Sequence, residues 1–115
     1  MTSKEAREHE ICRLSKELYL SIIDLPYSAM PDGWFAQVTD AILSMGSNWA
    51  EGIGRRGTPK APAAFYRHAR GSGYEASWQL WAADLTGPLE LCDKICDLMD
   101  GELAYFSLET GSLEE

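Results

Sequence analysis

Apolar residues recur along this chain at steps of three and four, the spacing of one face of an α-helix. Ile11, Leu14, Leu18, Ile22 and Leu25 form the first such stripe. It predicts a helix from about Lys4 to Leu25. Thr2 and Glu5 fit a capping box at its start. Pro26 ends it by disfavouring the α region at the residue before it. Residues 26–33 read as a connection, with Pro31 and Asp32 suited to open the next helix. The second stripe is Trp34, Val38, Ile42, Met45, Trp49 and Ile53. Gly46, Gly52 and Gly54 weaken this helix by about 1 kcal/mol each relative to Ala. Such residues are tolerated where a neighbour must approach the backbone closely.

Gly57 to Pro62 reads as a turn, and either Thr58-Pro59 or Ala61-Pro62 can open the third helix. Its stripe of Phe65, Ala69, Ser72, Ala76, Leu80 and Ala83 is rich in small residues, so a neighbouring helix can pack near. Gly71 and Gly73 fall in its middle, and the helix is expected to run through them. Thr86-Gly87-Pro88 reads as its stop, with Gly87 free to take the left-handed cap. The fourth helix is expected from about Leu89 to Phe106, with Cys92, Ile95, Met99, Leu103 and Phe106 inward and Asp93, Asp97 and Asp100 outward. An acidic tail is expected from about residue 108. No strand-like alternation is convincing. Four helices joined by short turns predict an all-α, antiparallel, up-down-up-down four-helix bundle forming one domain over residues 1–115.

Composition narrows the function classes. At 115 residues the chain is one domain's length. No apolar run approaches the roughly 18 residues that cross a bilayer. The polar, mixed-charge start lacks the features of a secretory signal, which sets the expectation of a cytoplasmic location away from membranes. Three cysteines, Cys12, Cys92 and Cys96, suit small core residues better than a disulfide framework. The net charge is −8 and unevenly spread. Arg55, Arg56, Lys60, Arg67 and Arg70 supply five of the ten basic residues, whereas from Asp84 onward there are nine acids and only Lys94 as a base. That asymmetry suits contacts with a partner or between copies, and equally a solvated acidic face.

Catalytic chemistry finds little support. His9 with Cys12, and Cys92 with Cys96, each have the spacing of two metal ligands on one helix face. Both pairs lie near helix starts, which antiparallel packing separates by on the order of 10 Å. No Glu stands three residues before His9 or His68, as a di-iron bundle requires. Ser72 lacks the strand-to-helix context of a nucleophile elbow. The glycines from Gly52 to Gly57 lack the Lys-Ser/Thr pair of a phosphate loop. We therefore expect no catalytic, cofactor or metal site. The stretch from Arg55 to Arg70, with Trp78, is the candidate contact surface. Arginines can grip phosphate or stack on bases, but an acidic chain disfavours nucleic acid as a partner. Salt bridges to the acidic fourth helix, within one copy or between copies, are the simpler reading.

The segment Ser44-Met45-Gly46-Ser47-Asn48-Trp49-Ala50-Glu51-Gly52-Ile53-Gly54-Arg55, with Phe65 and Ala69-Arg70-Gly71-Ser72-Gly73-Tyr74-Glu75, resembles the four-helix-bundle family of 23S rRNA intervening-sequence proteins. That family also includes the accessory protein of diversity-generating retroelements. Asn48, Ala50, Glu51 and Gly52 fit its motif near the end of helix two. Ala69, Gly71, Ser72 and Glu75 fit the motif of helix three. Gln37, Ala41, Leu18-Tyr19 and Pro26 fit weaker positions. The resemblance implies an antiparallel bundle assembled as a homopentameric ring. For the retroelement member it implies contact with nucleic acid and a reverse transcriptase. Most members have no established biochemical activity. This chain departs from the family at Thr39 and Asp40, where basic residues are usual, and in the sign of its net charge.

Asn48, Glu51, Ser72 and Glu75 are polar residues beside apolar stripes. Hydrogen bonding would make them ties between helices or subunits, and Glu51 and Arg55 have the spacing to pair. These readings favour a non-enzymatic, self-associating assembly or binding module. A nucleic-acid accessory factor is the alternative, and an unidentified protein partner stays open. Trp34, Trp49, Trp78 and Trp81 are more large aromatics than one small core needs, and Trp78 lies off its helix's small-residue stripe. We expect no tight binding to plain duplex DNA at physiological salt. Micromolar or stronger binding in a titration, abolished by Arg55→Glu with Arg56→Glu, would overturn that expectation.

Overall fold

Every regular element is an α-helix in the computed structural model, which describes residues 2–26, 30–57 and 62–110, with side chains as far as Tyr105. The helices are α1 (Ser3–Glu8), α2 (Glu10–Ile23), α3 (Trp34–Gly54), α4 (Ala63–Ala82) and α5 (Thr86–Thr110). There are five where the periodicity predicts four, because the first expected helix breaks at His9. That residue leaves the helical region (φ −57°, ψ 142°) and caps both neighbours. Its N–H donates to the Ala6 carbonyl, and its Nδ1 accepts from the Ile11 N–H at 3.2 Å. Histidine is not a favoured N-cap residue, so composition gives no warning of the break. At the start of α1, the Glu5 N–H donates to Thr2 Oγ1 at 3.1 Å. The reciprocal half of the expected capping box differs: the Thr2 hydroxyl donates to the Glu5 carboxylate.

Two further boundaries shift. Pro31 and Asp32 lie in a turn before α3 rather than in its first turn. Gly33, in the left-handed region at φ 79°, precedes Trp34. Thr86-Gly87-Pro88 does not stop the third predicted helix but begins α5. The stop is at Asp84, which takes the left-handed conformation (φ 57°) expected of Gly87. The Leu85 N–H bonds to the Leu80 carbonyl and the Asp84 N–H to the Trp81 carbonyl. This crossed pair satisfies carbonyls at the helix end. Aspartate tolerates the left-handed region better than most side chains. α5 runs on to Thr110, past the expected tail boundary, while residues 58–61, where a turn is expected, and residues 111–115 lie outside the described residues.

Helix α3 packs against α2 and α4, and α5 packs against α4 and α2. Paired contacts run in opposite senses: Ser44 with Ser72 and Trp34 with Gln79 across α3 and α4, Tyr74 with Asp100 and Ser77 with Asp93 across α4 and α5. Helix α4 therefore runs antiparallel to both α3 and α5. The core holds Ile11, Leu14, Leu18 and Ile22 from α2, Val38, Ile42, Met45, Trp49 and Ile53 from α3, and Cys92, Ile95, Met99 and Leu103 from α5. These match the predicted stripes except at Leu25 and Trp34, which are half-buried and pack against the core. Phe106, also expected inward, has no described side chain.

In α4 Ala69, Ala76 and Leu80 are buried as predicted, but the buried face is turned part of the way from the predicted one. Tyr66, Ala69, Gly73, Ala76 and Leu80 face the core, while Phe65 and Ser72 are only half-buried. Two glycines decide how near α4 comes. A Cβ on Gly52 would lie 2.5 Å from the Tyr66 ring, and one on Gly73 would lie 2.8 Å from Met99 Cε and 3.0 Å from Met45 Sδ. Gly71, by contrast, has nothing within 4 Å of where a Cβ would be. Gly52→Ala should therefore destabilise by about 1–3 kcal/mol through overpacking. Gly71→Ala should stabilise by up to about 1 kcal/mol through helix propensity. Chemical denaturation of the two variants separates these outcomes; equal shifts would mean that close approach is not what Gly52 serves.

Candidate functional site

The residues of the two sequence motifs fall into separate clusters. Asn48 Nδ2 donates to the Ser44 carbonyl at 2.9 Å and to Ser44 Oγ at 3.1 Å. Ser44 Oγ and Ser72 Oγ are 2.8 Å apart and share a hydrogen bond. This run of hydroxyl and amide groups ties α3 to α4. Arg55 pairs with Glu51 at 2.8 Å, as their spacing suggests, and its guanidinium lies 5.8 Å from the centre of the Phe65 ring. Gly52 receives the Tyr66 ring, which also stacks on buried Trp49 with centroids 4.2 Å apart. Arg56 Nε donates to the Tyr66 hydroxyl at 2.8 Å. Gly71, Ser72 and Glu75 sit together with Arg67 at an open hollow of about 460 Å³ on the outer side of α4.

Three arginines of the basic stretch have partners within the chain. Arg55 and Arg56 are held against side chains of their own chain, and Arg70 reaches Asp100 on α5 at 4.0 Å. Lys60 lies outside the described residues. The Arg70–Asp100 pair is the within-chain salt bridge to the acidic helix that the charge pattern suggests. Tyr74 donates to the same carboxylate at 2.8 Å, and Ser77 to Asp93 at 2.6 Å. The hydrogen bond to Asp100 is the main cause holding the Tyr74 hydroxyl above its ordinary pKa.

A different surface stands out. Trp78 is 65% exposed and Trp81 63%. With half-exposed Tyr74 they form a ridge along the outer face of α4, beside a shallow hollow of about 330 Å³ that includes Leu89 and Asp93. The sequence singles out Trp78 through its place off the buried stripe. Trp81 and Tyr74 lie off the predicted stripe as well.

The thiols are buried and chemically quiet. Cys12 donates weakly to the Gly46 carbonyl and Cys92 to the Gly73 carbonyl, with sulfur–oxygen distances of 3.8 and 3.6 Å. Burial pushes the Cys12 thiol up to about 11. The neighbouring Cys96 thiol, together with burial, pushes Cys92 upward as well. Among the described residues no group of three or more His, Cys, Asp and Glu comes together to hold a metal ion. Also among them, no helix is long and apolar enough to cross a membrane.

His9 links three helices at one end of the structure. Its Nε2 lies 3.7 Å from Glu102 on α5, and its ring centre 6.5 Å from that of Trp49. Burial is the largest influence on its pKa and lowers it; Arg56 lowers it further, while Glu102 and Glu10 raise it, and the net shift is downward. The folded chain thus favours the neutral ring, whose Nδ1 accepts the Ile11 N–H. Below the ordinary value of 6.5 the unfolded chain binds more protons. This contribution is therefore complete above pH 6.5 and is lost as pH falls through the lower, folded value. Stability measured by denaturation should drop on acidification through that window. His9→Asn, which caps without titrating, should flatten that part of the profile; an unchanged slope would exclude His9 as its source. Comparison with protein-family models, with curated proteins and with solved structures finds no match to this chain.

Proposed function

We propose that this chain is a non-enzymatic, cytoplasmic assembly or binding module that works as a homo-oligomer. In this reading it is an antiparallel, up-down-up-down four-helix bundle in which α1 is a bent extension of α2. The cyclic order of packing, α2 to α3 to α4 to α5 and back to α2, supports the bundle. The observation that carries the assembly reading is the Trp78–Trp81 ridge. Singly exposed apolar residues are common on protein surfaces, but adjacent large aromatics along one helix face mark an interface. Withdrawing each indole fully from water contributes at most roughly 2–4 kcal/mol at 25 cal/mol per Å². The number of copies rests on the family resemblance, which favours a ring of five. The nucleic-acid alternative loses ground because Arg55, Arg56 and Arg70 already have partners within the chain.

Size exclusion with light scattering should give a mass several times 12.8 kDa. Trp78→Glu should lower that mass and leave the helical circular-dichroism signal unchanged. A wild-type monomer at tens of micromolar would refute self-assembly, and a dimer would refute the ring of five.

A further inference from the structure

The ridge needs a surface to receive it, and the chain carries one on its opposite side. Because α3 packs on α2 and α4, and α5 on α4 and α2, the α2/α3 side faces away from the α4/α5 side. On that far side, α1, α2 and α3 enclose a groove of about 560 Å³. This lies in the range of cavities that hold compact organic groups. Cys12, Ile42 and Gly46 line it together with Leu43, which is 48% exposed. Gly46 lies where α2 crosses α3, and a Cβ there would come within 3.3 Å of Ser15. Around these apolar groups stand Arg7, Arg13 and Lys16, against a single acid, Glu8.

The two surfaces complement each other in shape and charge. The ridge offers indole rings beside Asp93, with exposed Glu90 and Asp97 on the same helix α5. The groove offers an apolar hollow among three cations. Arginine and lysine are attracted to both the carboxylates and the faces of the tryptophans. Pairing ridge with ridge about a two-fold axis would instead bring acidic helices together and leave the groove empty. We propose that the groove between α1–α2 and α3 receives the Trp78–Trp81 ridge of a second copy of this chain, so that copies associate head to tail. This rests on the reading of the chain as a self-assembling module and adds the surface that completes the contact. Such a contact uses two different surfaces and leaves one of each free at the ends of any open series.

A mixing experiment tests it. Leu43→Glu places an acid in the groove at an already exposed position, and the Trp78→Glu, Trp81→Glu double variant disables the ridge. Each alone should run as a 12.8 kDa monomer with an unchanged helical signal. Mixed in equal amounts they should form a one-to-one complex of twice that mass, because the first retains a ridge and the second a groove. Should Leu43→Glu lose helical signal, Ser47→Glu, also exposed at the groove, takes its place. If the groove variant assembles like wild type while the ridge variant does not, the groove is not the receptor, although self-assembly stands. Two monomeric variants that fail to combine would likewise overturn the proposal. A monomeric wild type would remove the assembly reading itself.

Discussion

The spacing between α4 and its neighbours is the constraint from which much of the structure follows. It is set where side chains are missing. Gly52 admits the Tyr66 ring against α3, and Gly73 admits Met45 and Met99 from two sides. With these contacts made, Tyr66 can stack on Trp49 and still present its hydroxyl to Arg56. The same closeness brings Ser44 and Ser72 within hydrogen-bonding distance. Interiors are packed nearly as densely as organic crystals, so a side chain at Gly52 would have to move the Tyr66 ring, and one at Gly73 the ends of Met99 and Met45.

The phase of α4 is the second consequence. Once Tyr66, Ala69, Gly73, Ala76 and Leu80 are inward, the residue two positions beyond Ala76 points about 200° away, given 3.6 residues per turn. That residue is Trp78. Its exposure therefore follows from which small residues the helix spends on its core. Burial of Trp49 has a different character. It is enclosed on all sides, and its indole N–H lacks a hydrogen-bond partner among the described residues. An unmet donor of this kind costs on the order of 1–3 kcal/mol, a burden that the stacking and burial of so large a ring offset.

Much of the fold was legible because α2, α3 and α5 carry unbroken stripes of large apolar residues. Ile11 to Ile22, Val38 to Ile53 and Cys92 to Leu103 all point inward as their spacing implies. Legibility failed where the signal is not hydrophobic. The stripe of α4 is made of alanine and glycine, which give little contrast between faces, so Phe65 and Ser72 displaced Tyr66 and Gly73 in the sequence reading. The break at His9 depends on a ring nitrogen acting as a cap, and the end of α4 on an aspartate in a conformation usually left to glycine. At the surface, residue type alone could not distinguish arginines already committed to neighbours from those facing outward. The exposed tryptophan was readable; the groove on the far side was not, because it is a hollow formed by two helices and a bend rather than a run of residues.

The buried thiols have a consequence for how this protein ages. A thiol with a pKa near 11 is ionised at neutral pH in only about one molecule in ten thousand, and the thiolate is the form that oxidants attack. Cys92 and Cys96 are enclosed in the core, whereas Cys12, although buried, borders the groove between α2 and α3. Oxidative damage at Cys92 and Cys96 is then gated by unfolding, and at Cys12 by the scarcity of its thiolate. A chain that opens exposes three ordinary, reactive sulfurs at once. Cross-linking at that moment would block its return, so loss of the native form becomes a one-way process whose clock is the rate of opening.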